Sequence, residues 1–194
     1  MIKLTLLNAI MLQKMQKDIY EFRTTFGLAV NTGVTDSDDE LHTSLIVEEM
    51  TELFDATVLT EAIDAVIDSA YVLMGRFVQM QGRYPVSDLD YRDVHDSPEL
   101  YLVDILLQVA KAKGFDFEAC WNEVHRSNMS KVCGDIEDAT ANVTHYAELG
   151  LAVDIAPIGK YYVLKCKHDN AGVIKPGKVI KSIYYSPANF TKII

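Results

Sequence analysis

From Leu45 to Gly75 the chain reads LIVEEMTELFDATVLTEAIDAVIDSAYVLMG, helical sequence in which carboxylates interrupt an apolar background. At about 100° per residue, Glu48, Glu52 and Glu49 fall at roughly 0°, 40° and 100°, and Ile46, Met50, Leu53 and Phe54 cover roughly 140° to 240° as the core-facing stripe. In the second half Asp64, Asp68 and Glu61 gather within about 60°, with Tyr71 and Gly75 on the same side and Ile63, Val66, Ala70, Leu73 and Phe77 turned away. The β-branched cluster from Thr57 to Thr60 breaks the run. The expected result is an antiparallel helical hairpin with an acidic strip on each arm.

Solvated faces are one account of these strips. Such faces usually mix Glu with Lys at i,i+4, whereas no Lys or Arg stands between Arg23 and Arg76. Like charges at that spacing repel by a few tenths of a kcal/mol per pair, and packing two such helices side by side adds to the cost. A divalent cation removes it. Hard oxygen ligands without His or Cys suit Mg²⁺ or Mn²⁺, and Mg²⁺ held by a few carboxylates commonly takes phosphate as a further ligand.

The rest of the composition narrows the class. A chain of 194 residues with 49% hydrophobic content holds one domain with a real core, or one domain and a small appendage. The N-terminal apolar run is interrupted by Asn8, Gln13 and Lys14, so it reads as neither signal peptide nor membrane span, and a cytoplasmic protein is expected. Cys120, Cys133 and Cys166 are odd in number and lack CxxC spacing, which argues for reduced thiols. The net charge of −10 argues against a nucleic-acid polymer as partner. It is unevenly spread: from Lys160 onward seven lysines face one acid, a net +6, and the preceding residues carry −16. Such a basic tail either folds over an acidic site to meet a polyphosphate or serves solubility.

In chain order, a first helix is expected from Thr5 to Phe26, with Leu7, Ile10, Met11, Met15, Ile19, Phe22 and Phe26 at helical spacing and Gly27 as its stop. Asn31 to Glu40 reads as an acidic loop without the full EF-hand spacing. Gln81 to Asp96 reads as a connector. Ser97-Pro98 starts a helix that turns Leu102, Ile105, Leu106 and Val109 inward and ends at Gly114. Asp116 caps the next helix, which carries Trp121 inward and presents His125, Arg126, Asn128 and Lys131 near its end, a grouping suited either to phosphate or to a structural role. Ile136 to Leu149 reads as one more helix, and the stretches Leu151–Ile155 and Lys160–Lys167 alternate like the strands of a hairpin.

Glu48-Glu49-x-x-Glu52, followed by an acidic helix ending Asp68-Ser-Ala-Tyr-Val-Leu-Met-Gly75, resembles the EExxE…ExxD signature of the all-α nucleoside triphosphate pyrophosphohydrolases, the MazG-like and phosphoribosyl-ATP pyrophosphohydrolase-like superfamily. Phe22 to Val30 resembles that family's first helix and its exit, and Val124 to Lys131 its later phosphate-contacting segment. Gly177 to Lys181 and Tyr185 to Asn189 resemble the tail of its phage-type members. One departure stands out: Ala65 occupies the place of the expected Glu, three before Asp68. Either Glu61-x-x-Asp64 is the equivalent pair, or Asp64 supplies the missing carboxylate at i,i+4 from Asp68. The spacer after Glu52 is also short.

The resemblance implies metal ligands at Glu49, Glu52, Glu61, Asp64 and Asp68, with Glu48, or Glu49 in its place, taking a proton from the attacking water. It implies phosphate contacts at Arg126, Asn128 and Lys131, joined from the tail by Lys178 and Lys181. It places the base against the first helix, where Gln13, Gln16 or Lys17 faces the base edge and Phe22, Phe26 or Trp121 stacks on it or fills the core. Homodimers or homotetramers are implied too, with Val47, Val58 and the outer side of the first helix as spare apolar surface. The expected fold is all-α, a bundle of four to five main helices over residues 1–134 with a small C-terminal β-hairpin appendage and basic tail over 135–194. The expected function is Mg²⁺-dependent hydrolysis of a nucleoside triphosphate, ribo- or deoxy-, to monophosphate and pyrophosphate in nucleotide-pool control. Two readings stand beside it: a non-canonical, modified or phosphoribosyl nucleotide as substrate, and a non-enzymatic helical interaction module.

Overall fold

The computed structural model describes residues 4–80, 97–168, 174 and 176–194. The connector expected at Gln81 to Asp96 lies outside them. Among the described residues there are six α-helices: α1 (Ala9–Phe26), α2 (Asp36–Asp55), α3 (Leu59–Met80), α4 (Pro98–Lys113), α5 (Phe117–Met129) and α6 (Ile136–Glu148). Three strands follow, β1 (Val153–Ile158), β2 (Tyr161–Cys166) and β3 (Val179–Ile180), and a 3₁₀ turn at Phe190–Lys192. The mostly helical class is as expected. The count is six helices and a three-stranded sheet, where the sequence suggested four to five and a hairpin. The chain divides into two compact units, one of Met1–Thr24, Leu28–His125 and Asn189–Ile194, the other of Thr25–Gly27 and Arg126–Ala188.

In the first unit, α1 begins at Ala9 because Asn8 caps it, its Oδ1 accepting from the amide of Met11 at 3.0 Å. The residues before it serve a different purpose. Asp104 of α4 accepts from the amides of Thr5, Leu6 and Leu7 and from the Thr5 hydroxyl at 2.7 to 3.1 Å. To receive them Asp104 must face inward, and that sets the rotation of α4. Leu100, Val103, Leu106, Leu107 and Ala110 are buried on its side, whereas Leu102 and Ile105, expected inside, are 46% and 56% exposed.

The segment read as a loop from Asn31 to Glu40 is half helix. Thr35 and Asp38 form a capping box, with the amide of Asp38 donating to Thr35 Oγ1 and the amide of Thr35 donating to Asp38, so Asp36, Asp38 and Asp39 become the first turn of α2. The true loop is short, and its amides at Asn31, Thr32 and Gly33 donate to the terminal carbonyls of Val78 and Gln79 on α3. A 6→1 bond from the Leu28 amide to the Arg23 carbonyl, around Gly27 at φ 71°, ends α1 in a Schellman motif.

Helix α3 is the buried centre. Ile63, Val66, Ala70, Leu73 and Phe77 lie inside as expected, and Ile67 and Met74 are fully enclosed. Side chains of this kind stabilise by about 1.5–3 kcal/mol each. Arg23 of α1 is buried against it: Nε donates to Ala29 O and Nη2 to Gln79 Oε1, both at 2.7 Å. The approach at Gly75 is close, since a Cβ there would meet Arg23 Nη1 at 3.3 Å. The stripe expected to bury α2 does not do so. Met50 is exposed and Phe54 is 90% exposed, so this helix touches α3 chiefly along the edge between its acids and its apolar stripe.

In the second unit, β1 and β2 form an antiparallel hairpin in register from Val153↔Cys166 to Ile158↔Tyr161, turned by Gly159 at φ 58°. The added strand β3 pairs with β2 at Leu164↔Ile180. Their inward residues Val153, Leu164, Cys166 and Ile180 pack with Cys133, Ala139 and Leu151. Asn142 of α6, fully buried, accepts from the Ile183 amide at 2.7 Å and donates to Asp138 O at 2.8 Å, tying the tail to the helix. Cys120, Cys133 and Cys166 are free and buried. No helix among the described residues is long and apolar enough to cross a membrane.

Asp104 provides a test of the first unit. Burial alone would raise its carboxyl, but the amides of Leu7, Leu6 and Thr5 outweigh that and hold it below the usual range. Its contribution is therefore present above the ordinary carboxylate pKa and lost as pH falls through the lower folded value. Asp104→Ala should cost about 1–3 kcal/mol at pH 7, the scale of leaving buried donors unpaired. Urea unfolding should show the gap between variant and wild type narrowing in strong acid.

Candidate active site on the α2–α3 hairpin

The two helices bring their acids together. Glu49, half-buried on α2, has its carboxyl pushed up to about 7, first by burial and then by Asp68, Glu52, Asp64 and Glu48 in that order. Asp64 is raised as well, by burial in its surroundings and then by Glu52, although its surface is open to solvent. Five of the six carboxylates singled out in the sequence thus share one electrostatic neighbourhood. Glu61 is employed differently. Its Oε2 accepts from the Thr57 and Val58 amides at 2.8 and 3.3 Å and from the Thr57 hydroxyl at 3.1 Å, which caps α3 and lowers its pKa.

The carboxylates on either side of Ala65 differ in what they touch. Asp64 and Asp68 both act on Glu49, while Glu61 caps the helix. Near the turn, Glu52, Asp55, Glu61 and Asp64 border an open depression of about 390 Å³. Asp55 is a carboxylate that the sequence reading passed over. At 100° per residue it falls at roughly 340°, beside Glu48, so the signal was there.

The side chains as they stand do not close around an ion: among the described residues no three His, Cys, Asp or Glu are arranged to hold a metal. The donor set nevertheless suits a hard divalent cation: it is all carboxylate, and burial together with mutual repulsion pushes one member, Glu49, up to about 7.

Behind the acids, one turn on from Asp68, Tyr71 opens a buried polar network. Its hydroxyl lies 2.9 Å from His125 Nδ1. His125 Nε2 is 3.6 Å from Glu21 and 3.9 Å from Asp18, and Asp18 also accepts from Trp121 Nε1 at 2.9 Å and pairs with Lys14 at 2.6 Å. Burial lowers the His125 pKa against the pull of the two acids. Trp121 is therefore a core residue with a satisfied N–H, and Phe22 meets Tyr71 edge-on at 5.3 Å. Of the residues expected at the base, Gln13 and Lys17 are exposed and Gln16 is buried, its Oε1 without a hydrogen-bond partner.

The expected phosphate contacts, Arg126, Asn128, Lys131, Lys178 and Lys181, belong to the second unit. There Arg126 donates to the carbonyls of Ser186 and Pro187 at 3.3 and 3.1 Å, and Lys131 to Asn128 Oδ1 at 2.6 Å. Lys181 and Lys131 lie 4.6 and 5.9 Å from the Tyr185 ring centre, and Lys178 is exposed. Four of the five thus already have partners within this unit.

Comparison with known proteins agrees with the hairpin. The family model of phosphoribosyl-ATP pyrophosphohydrolase matches residues 19–81. An uncharacterized protein of Acanthamoeba polyphaga mimivirus is 26% identical over a gapped alignment of 244 positions, covering 90% of this chain and 93% of that protein. No solved structure matches. The family that residues 19–81 match belongs to the MazG-like, all-α nucleoside triphosphate pyrophosphohydrolase superfamily, and the acidic hairpin lies within that match.

Proposed function

We propose that the chain is a Mg²⁺-dependent nucleoside triphosphate pyrophosphohydrolase, converting NTP and water to NMP and pyrophosphate, with a role in nucleotide-pool control. The observation that carries this reading is Glu49, its carboxyl pushed up to about 7 by burial and then by four neighbouring carboxylates inside the family-matched segment. Glu49, Glu52, Asp64 and Asp68 would hold Mg²⁺, or Mn²⁺ in its place. When bound, the ion supplies positive charge that neutralises phosphate oxygens and orients the α-phosphorus for attack. Glu48, at the edge of the strip, takes the water's proton. A phosphoribosyl nucleotide is the second substrate reading, favoured by the description of the matching family.

A pyrophosphate-release assay over nucleoside triphosphates and phosphoribosyl-ATP, with and without Mg²⁺, separates these readings. Glu52→Gln and Asp68→Asn should each lower turnover by more than about 100-fold, the upper end of what losing even an indirect metal partner costs, with helicity unchanged by circular dichroism. Turnover near wild type in both would remove the metal site.

The acids also fix a pH dependence. With metal chelated, a carboxyl raised from 4.5 to about 7 stabilises the fold least where it must ionise, so stability should decline as pH rises from 4.5 through 7. The decline should be of order 1 kcal/mol after allowing for solvent screening. Mg²⁺ should reverse it and Glu49→Gln should flatten it, as followed by thermal unfolding.

A homodimer or homotetramer is part of the same proposal, supported by the stripe of Val47, Met50 and Phe54 left exposed on α2, with Val58 beyond it. Light scattering at several concentrations should give a multiple of 21.8 kDa, and Phe54→Glu should shift it toward the single chain.

A further inference from the structure

Helix α2 is long and barely buried: of its 20 residues only His42 is enclosed among the described residues, whereas α3 beside it encloses 14 of 22. A helix in water takes most of its stability from packing an apolar face, so the open side of α2 is informative. Counted at about 100° per residue from Glu48, Thr43, Val47, Met50 and Phe54 fall between roughly 200° and 260°. All four are exposed, and Phe54, at 90%, is the most exposed large apolar residue described. Their spacing of four, three and four is that of an a/d seam, the pattern by which one helix packs along another. Between Leu41 and Val58 no charged residue stands from about 140° to 320°, since Glu48, Glu49, Glu52 and Asp55 lie on the other half.

The seam borders a cavity. Ile46 and Val47 of α2, Val72 and Leu73 of α3, and Pro98 and Leu102 of α4 give apolar walls to an open space of about 330 Å³. An apolar cavity of about 150 Å³ is enough to hold benzene, so this one has room for a phenyl ring. Leu102 and Ile105, one turn apart on α4 and both exposed, carry the apolar surface past its far wall. Val47, Met50, Phe54, Leu102 and Ile105 together leave roughly 500 Å² open, close to the apolar part of the ~800 Å² that each partner gives to a standard interface.

We propose that this face receives a second copy of the chain, the two α2 helices packing antiparallel about a two-fold axis beside Met50, with the Phe54 ring of each seated in the cavity of the other. Symmetry selects the occupant. In such a pair a residue a given number of positions after Met50 meets the one equally far before it, so Phe54 meets the partner's Ile46, at the cavity wall. Knob and hole stand at equal distances on either side of one point of one helix, which is what an isologous contact requires. A partner of unrelated sequence gives no reason for that match. Self-association rests on the oligomer proposed above; its antiparallel form rests on the seam and the cavity. The second copy then covers the open side of a helix that carries Glu49 and Glu52 yet buries little of its own.

Cysteine cross-linking of the full chain reads this geometry directly. A residue beside the axis faces its own counterpart, so Met50→Cys should give a disulfide-linked dimer under mild oxidation. The native cysteines are buried, and the wild type should stay unlinked. Ser44→Cys, exposed on α2 but off the seam, stands six residues from the axis; its two copies, about 18 Å apart along the helix pair, should not link either. Thr43→Trp, at an exposed position on the cavity rim, should fill the space meant for Phe54 and weaken self-association by about 10-fold or more in sedimentation, with helicity unchanged by circular dichroism. An oligomer in which Met50→Cys does not link, in which Ser44→Cys links as readily, or which Thr43→Trp leaves intact would overturn this arrangement and leave oligomerisation standing. A single chain at every concentration would overturn both. Linking through Met50 in a chain that releases no pyrophosphate would uphold the interface and sink the activity.

Discussion

Glu49, half-buried among Asp68, Glu52, Asp64 and Glu48, cannot ionise freely, and that crowding of charge conditions the rest of the molecule. A helical hairpin that brings like charges together must be held by something else. Here the hold comes from α3, whose Ile63, Val66, Ile67, Ala70 and Met74 are fully enclosed. Hydrophobic burial on one side of α3 thus keeps a charge cluster on the other in a geometry it would not adopt alone. Sites that concentrate one sign of charge in this way are where function is first sought.

A second set of interactions fixes the far end of the hairpin. Arg23 reaches from α1 to Gln79, Gln79 reaches to Gly33 and His42, and the Asn31–Gly33 amides close over the last carbonyls of α3. One buried guanidinium therefore organises the exit of α1, the short loop and the entry to α2. Its own burial depresses its pKa, and Asp38 partly offsets that.

The acidic strips were legible because sign is a one-dimensional property: no base interrupts positions 24–75. Two replacements for the Glu missing at 65, the pair Glu61-x-x-Asp64 or Asp64 alone, fit the sequence, since spacing does not reveal that Glu61 is taken by the Thr57 and Val58 amides. The inner face of α3 was read correctly, the outer stripe of α2 was not. Apolar periodicity marks a face that prefers to leave water without saying what will cover it, and Met50 and Phe54 show the difference. Leu102 and Ile105 were misassigned because Asp104, which rotates α4, is satisfied by residues nearly a hundred positions earlier. The Asp36–Glu40 segment looked like loop by composition, yet the same acids complement a helix N-terminus once Thr35 caps it. His42 and Gln79 gave no signal at all, since their meaning lies in partners 37 and 56 residues apart.

Gly75 bears on how such a sequence can drift. A side chain there would press on a guanidinium already held by two acceptors, and Arg23 could yield only by lengthening the bonds that orient Gln79. Positions 23, 75 and 79 consequently form an epistatic set: a change at any one is tolerated or not according to the other two. A descendant that lost Arg23 would be free to gain a methyl at 75, and only then would the orientation of the amide at 79 become a matter of chance.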